Sequence, residues 1–169
     1  MKLRVARITA SDRASGGIYE DLSGPVLEAT LERLLPDCAF DWERRLLPDD
    51  RRALADALRD LCDRAACDLV LTTGGTGPAA RDLTPEATRD VIDREFPGFG
   101  ELQRMRTFDI APTSILTRAT AGTRGPTLIV NLPGRPEAVR ECLEVLAPAL
   151  RKAVGILRTD PPPRHAPAP

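Results

Sequence analysis

Asp68-Leu69-Val70-Leu71-Thr72-Thr73-Gly74-Gly75-Thr76-Gly77-Pro78, continued by Arg81-Asp82-Leu83-Thr84-Pro85-Glu86, decides how this chain is read. Asp68 to Thr73 is a short apolar run between a polar start and a glycine cluster, the pattern of a buried strand. Gly74, Gly75 and Gly77 strip the following loop of Cβ atoms and let a ligand approach its backbone. The next helix has a start signal, with Thr84 as N-cap, Pro85 at the first helical position and Glu86 in the positive first turn. Strand, bare loop and helix N-terminus together can cradle an anion with backbone N–H groups. A glycine-rich turn that binds nothing has the same local pattern. Arg81 and Asp82 add a cation suited to phosphate and a carboxylate able to hold a metal.

Two common phosphate loops do not fit. A Walker loop needs a lysine before the Ser or Thr of the helix start, and this segment has none. Gly75 to Ala80 matches the loose dinucleotide pattern. Pro78, however, removes an N–H where pyrophosphate needs donors, and Thr84-Pro85 sets the helix too far downstream.

Outward from this segment the chain alternates strand and helix. Leu3 to Ala10 reads as a first strand, and a polar loop, Ser11 to Asp21, follows it. Ser23 caps a helix with Val26, Leu27, Thr30, Leu31 and Leu34 on one face. Phe40, Trp42 and Leu46 mark a second strand closing at Pro48. Asp49 or Asp50 starts a helix bearing Leu54, Leu58, Leu61 and Ala65. Pro85 to about Glu95 is a third helix. The order β-α-β-α-β-α predicts an α/β fold, three layers α/β/α with a mostly parallel central sheet. Further on, a turn (Phe96 to Gly100), a short helix (Glu101 to Phe108) and a break at Pro112-Thr113-Ser114 are expected. Strands over Thr117–Ala121 and Thr127–Leu132 are joined by the turn Gly122–Pro126. A last helix runs from Pro136 to about Leu157. Residues 1–158 are expected to form one domain, and the Pro-rich tail, 159–169, to be disordered.

Bulk properties narrow the function. The 169 residues suffice for one sizeable core. With 24 basic and 25 acidic residues and six aromatics, the chain has neither a polyanion-binding field nor a base-stacking platform, so no nucleic-acid partner is expected. No run reaches membrane-spanning length and Met1-Lys2-Leu3-Arg4 leads into a strand, so no membrane partner and a cytoplasmic location are expected. Cys38, Cys62, Cys67 and Cys142 form no Cys-x-x-Cys pair and read as buried free thiols. The single histidine, His165, lies in the tail, which sets aside mechanisms built on a histidine base, triad or zinc site.

Asp49 and Asp82 occupy equivalent places, each in a loop after a strand and before a helix. Facing one pocket, they would suit Mg²⁺, which takes one or two carboxylates plus phosphate oxygens and water. Both are equally compatible with ordinary capping or turn roles. Arg13, Arg81 and Arg135 lie in loops at the carboxyl edge of the expected sheet. Ser114 and Thr113 could serve a ligand or cap a turn, and Asn131 a ligand or the Pro-Gly turn after it. Arg104 and Arg106 read as a solvated face.

Five segments occur in one order: Ser11 to Asp21, Thr72 to Gly77, Arg81 to Thr88, Pro97 to Glu101 and Asn131-Leu132-Pro133-Gly134. Together, over about residues 3 to 157, they resemble the molybdopterin adenylyltransferases of molybdenum-cofactor assembly, the MogA-type proteins related to the gephyrin G domain. The resemblance implies a homotrimer that transfers AMP from ATP to the terminal phosphate of molybdopterin, with Mg²⁺ and release of pyrophosphate, and hands its product to a molybdate-insertion protein. It assigns catalysis and metal binding to Asp49 and Asp82. Substrate binding falls to Thr73, Gly74, Gly75, Thr76, Gly77, Arg81, Ser114, Asn131, Pro133 and Gly134. A related, MoaB-type alternative is a protein that binds molybdopterin without transferring AMP. Ala79 and Ala80 depart from the family, where larger or basic residues are frequent.

Overall fold

The computed structural model describes residues 1–166. Six strands form one sheet in the order β2-β1-β3-β6-β5-β4. They are β1 (Lys2–Ala10), β2 (Ala39–Leu47), β3 (Leu69–Thr73), β4 (Arg94–Glu95), β5 (Ala121–Arg124) and β6 (Thr127–Leu132). The first three and β6 run parallel, whereas β5 and β4 add an antiparallel edge.

Alternation along the central strands builds two cores. Leu3 and Val5 of β1, Leu69 and Leu71 of β3, and Leu128, Val130 and Leu132 of β6 share one face. That face is covered by α2 (Ser23–Leu34), α5 (Gly98–Thr107) and α6 (Pro136–Thr159). Ala6 and Ile8, Val70, and Ile129 point the other way, towards α3 (Arg51–Arg59) and α4 (Thr84–Arg89). Successive strand residues face opposite sides, so burying both faces demands near-continuous apolar runs. The expected three-layer α/β/α arrangement with a mostly parallel sheet is what forms.

The chain leaves β1 towards β2 on one side and later returns to β3 on the other. The sheet's topological switch therefore lies between β1 and β3, and the crevice beyond their carboxyl ends is where ligands bind in such sheets. A short helix, α1 (Asp12–Ser15), follows β1 there, with Ser11 as its cap.

Several boundaries differ from the sequence reading. Thr84 is the first residue of α4 rather than its cap, and its hydroxyl donates to Gly74 O at 2.9 Å. Similarly, Asp21 rather than Ser23 accepts from an N–H at the start of α2, that of Gly24, at 2.9 Å. The third helix stops at Arg89, and Arg94–Glu95 pairs with Thr123 and Gly122. Gly122 lies within a strand, not a turn, and the strand needs glycine there because a Cβ would meet Arg94 O at 2.5 Å. The strand expected over Thr117–Ala121 accordingly shifts to Ala121–Arg124. Of the tail, Arg164 donates to Cys62 O at 2.5 Å and His165 lies 2.9 Å from Asp93 Oδ1. Residues 167–169 of the expected disordered tail lie outside the described residues.

All four cysteines are free thiols. Burial pushes Cys62, Cys67 and Cys142 up to about 12, so they act as small core residues. Among the described residues no helix is long and apolar enough to cross a membrane.

Candidate functional site

A groove of about 550 Å³ opens at the carboxyl ends of β1 and β3. The glycine loop Gly74–Gly77 forms its floor, and the loops after β1, β2, β3 and β6 form its walls. Gly74 and Gly75 have φ of +94° and +61°, a backbone that favours glycine. A Cβ on Gly74 would stand 2.3 Å from Ala10 O. The loop thus packs against the end of β1, and only glycine permits that approach.

Asp49 reaches the groove although β2 is the edge strand. The loop after β2 crosses back over the end of β1, where Asp49 Oδ2 accepts from Asp12 N–H at 3.1 Å. Asp12 Oδ1 accepts from Asp49 N–H at 2.9 Å in return. Asp82 folds over the glycine loop from the opposite side, accepting from Ala79 N–H at 2.9 Å. A Cβ on Gly75 would come 3.1 Å from Asp49 Oδ1, and one on Gly77 would come 2.8 Å from Asp82 Oδ2. Two carboxylates from different strand ends therefore close on one bare loop.

The charge balance there is negative. Burial first, then the charges of Asp12 and Asp82, hold the Asp49 carboxyl above its ordinary value against the pull of Arg81 and the Asp12 N–H. The Arg81 guanidinium stands 3.9 Å from Asp12 Oδ2. Hard oxygen donors carrying uncompensated negative charge fit Mg²⁺. Among the described residues no group of three or more His, Cys, Asp or Glu side chains is arranged to hold a metal ion. A divalent ion at this site would draw its remaining oxygens from phosphate and water.

Of the other expected residues, Thr73, Gly74, Gly75, Thr76, Gly77, Arg81 and Gly134 line the groove, as do Arg13 and Arg135. The Thr73 hydroxyl is occupied, donating to Pro133 O at 2.7 Å. Pro133 and Ser114 instead line an adjoining pocket of about 240 Å³, which shares Gly77, Gly134 and Arg135 with the groove. Gly134 is bare for a reason of its own: a Cβ there would come 3.2 Å from Gly74 Cα.

Asn131 is not brought to either cavity. Its side chain is fully buried and donates to Thr72 Oγ1 at 3.0 Å and Thr88 Oγ1 at 2.8 Å, joining β6, β3 and α4 under the loop. Arg104 is likewise bonded rather than merely solvated, donating to Thr117 O at 3.2 Å.

Three further residues, outside the candidates expected from the sequence, shape the site. Tyr19 lines the groove and its hydroxyl lies 2.9 Å from Ser11 Oγ. Arg7 holds Asp21 at 2.7 Å and Glu28 at 2.6 Å, and so anchors the far end of the Ser11–Asp21 loop. An arginine in the middle of an apolar strand was the available signal. Arg118 contacts the glycine loop from behind, and no local pattern marks it.

A family model described as "Probable molybdopterin binding domain" matches residues 6–152. The chain belongs to this molybdopterin-binding-domain family. Across 156 residues it is 48% identical to the molybdopterin adenylyltransferase of Helicobacter pylori strain J99, covering 92% of this chain and 88% of that protein. Identity to the molybdopterin adenylyltransferase of Escherichia coli K12 is 48% over 142 residues, 84% and 72% of the two chains. The crystal structure of the molybdopterin biosynthesis enzyme MoaB from Thermus thermophilus matches with a TM-score of 0.82 at 39% identity, covering 95% of this chain and 99% of that one. These matches place the groove and its two carboxylates inside the family's domain.

Proposed function

We propose that the chain is a molybdopterin adenylyltransferase of molybdenum-cofactor biosynthesis, a nucleotidyltransferase that joins AMP from ATP to the terminal phosphate of molybdopterin. The observation that carries this reading is the closure of Asp49 and Asp82 on one glycine loop, in a chain 48% identical to molybdopterin adenylyltransferases.

A phosphate oxygen of molybdopterin forms a bond to the α-phosphorus of ATP as the bond from that phosphorus to the bridging oxygen breaks, and pyrophosphate leaves with the electron pair. The attacking phosphate is already ionised at neutral pH, so no base is required, in keeping with a chain whose one histidine is remote from the groove. Alignment and charge neutralisation supply most of the rate in such transfers. The backbone N–H groups of the glycine loop, with Arg81, orient an anionic part of either substrate. Asp49 and Asp82 would hold Mg²⁺, which would supply neutralisation of charge on the phosphates. Ser114 and the adjoining pocket extend the binding surface beyond the phosphates. A homotrimer, a cytoplasmic location and delivery of the product to a molybdate-insertion protein complete the proposal.

The test is AMP transfer by purified protein with ATP, Mg²⁺ and molybdopterin, following pyrophosphate and adenylylated pterin together. Mg²⁺-dependent formation of both supports the transferase. Tight molybdopterin binding with no pyrophosphate would make the protein a carrier.

A further inference from the structure

Arg118 belongs to an irregular segment between the 3₁₀ turn Pro112–Leu116 and β5. It faces a shallow depression with Arg89, Glu95 and Thr120, and it is absent from the groove lining. Its guanidinium is nonetheless spent on the loop that forms the groove. Nε donates to Gly77 O at 2.8 Å, Nη2 donates to Asp82 O, and Nη1 pairs with Glu86 in the first turn of α4. Its own N–H donates to Thr76 O at 2.8 Å, and the neighbouring Thr117 hydroxyl lies 3.2 Å from that of Thr76.

We propose that Arg118 is a positioning residue for Asp82: it staples both ends of the exposed Gly77–Asp82 loop from behind and thereby sets the Asp82 carboxylate over Gly77. Between the two stapled carbonyls the loop has only the Ala79 N–H bond to Asp82 Oδ2 and the Asp82 N–H bond to Ala79 O at 2.9 Å. A turn with so few bonds of its own needs an outside anchor to hold one geometry. A planar guanidinium can serve two carbonyls and a carboxylate at once, whereas an ammonium offers no such fork. Glu86 pairs with the guanidinium in turn, and among the described residues its second oxygen is buried with no hydrogen-bond partner.

This inference rests on the reading of Asp82 as a catalytic carboxylate. The experiment compares the wild type with Arg118→Lys and Arg118→Ala in three readouts: kcat and KM for AMP transfer, melting temperature, and hydrogen exchange of peptides spanning residues 76–83. Misplacing a reacting group by about 1 Å costs on the order of 10²-fold. The expected result is a kcat lowered by about that factor in Arg118→Lys with KM values nearly unchanged. Exchange should be faster in 76–83 and unaltered in β1 and β6, and added guanidinium should partly restore Arg118→Ala. Wild-type kcat and exchange in Arg118→Lys would overturn the assignment. So would loss of protection across the whole sheet, which would make Arg118 a general stabiliser. If the wild type transfers no AMP, the transferase reading fails, and the exchange measurement still decides whether Arg118 holds the loop.

Discussion

Asp12 and Asp49 each accept a hydrogen bond from the other's backbone N–H, so the loop after an edge strand is tied to the loop after a central one. The clasp explains how Asp49, at the end of an edge strand, reaches a groove that opens beyond β1 and β3. It also crowds like charges, which the fold tolerates although burial already disfavours the ionised Asp49. Asp49→Asn keeps an acceptor for Asp12 N–H and removes a repelling charge. It should melt no lower than the wild type while AMP transfer falls about 10²-fold or more. Asp82→Asn should lose activity equally. Calorimetry beside a pyrophosphate assay checks both, and near-wild-type turnover in either variant removes that carboxylate from the mechanism.

The glycines of the loop should separate stability from activity. Gly74→Ala meets a rigid carbonyl at a positive φ and should cost on the order of 3 kcal/mol in urea unfolding. Gly77→Ala meets only the movable end of the Asp82 side chain. It should cost about 1 kcal/mol or less, yet lower turnover by about tenfold or more by displacing that carboxylate. Equal losses of stability in the two variants would contradict this division.

Asn131 should behave as a structural residue. Asn131→Ala leaves Thr72 and Thr88 without their buried donor and should cost about 2–4 kcal/mol. The molecules that remain folded at low temperature should bind substrate normally. Wild-type stability with lost substrate affinity would return Asn131 to the ligand.

Acid should loosen the wall built by Ser11–Asp21. Burial raises the Asp21 carboxyl, but the Gly24 N–H, the Thr9 hydroxyl and Arg7 outweigh it and leave the group below its ordinary value. Burial acts the same way on Glu28, and Arg44 and Arg7 overcome it. Groups depressed in the folded state add stability above their unfolded values, 3.8 for Asp and 4.5 for Glu. That stability is lost as pH falls through the lower folded values. The melting temperature should therefore drop steeply below about pH 4, and less steeply in Asp21→Asn. Identical slopes in the two proteins would exclude Asp21 from the effect.

Much of this was legible in the chain because β3 and β6 are buried on both faces and so betray themselves as apolar runs. The glycine loop was equally plain, since close backbone approach leaves a composition trace. What stayed hidden depends on contacts between distant segments. The two-residue β4 is too short to show a period, and Gly122 mimics a turn because its neighbour strand needs the space. Asn131 alternates to the face opposite Leu132, and nothing local says that this face is closed by Thr88. Arg118 sits 36 residues from the Asp82 carbonyl it holds, a separation with no sequence signature.

Both Met1, at the entry to β1, and Arg164, against Cys62 and the first residue of β6, lie at the amino edge of the parallel strands. The groove opens at the opposite edge. A tether, affinity handle or fused module joined near either of these points would leave from the back of the molecule. Immobilised that way on a sensor surface, the protein would present its groove outward to whatever flows past.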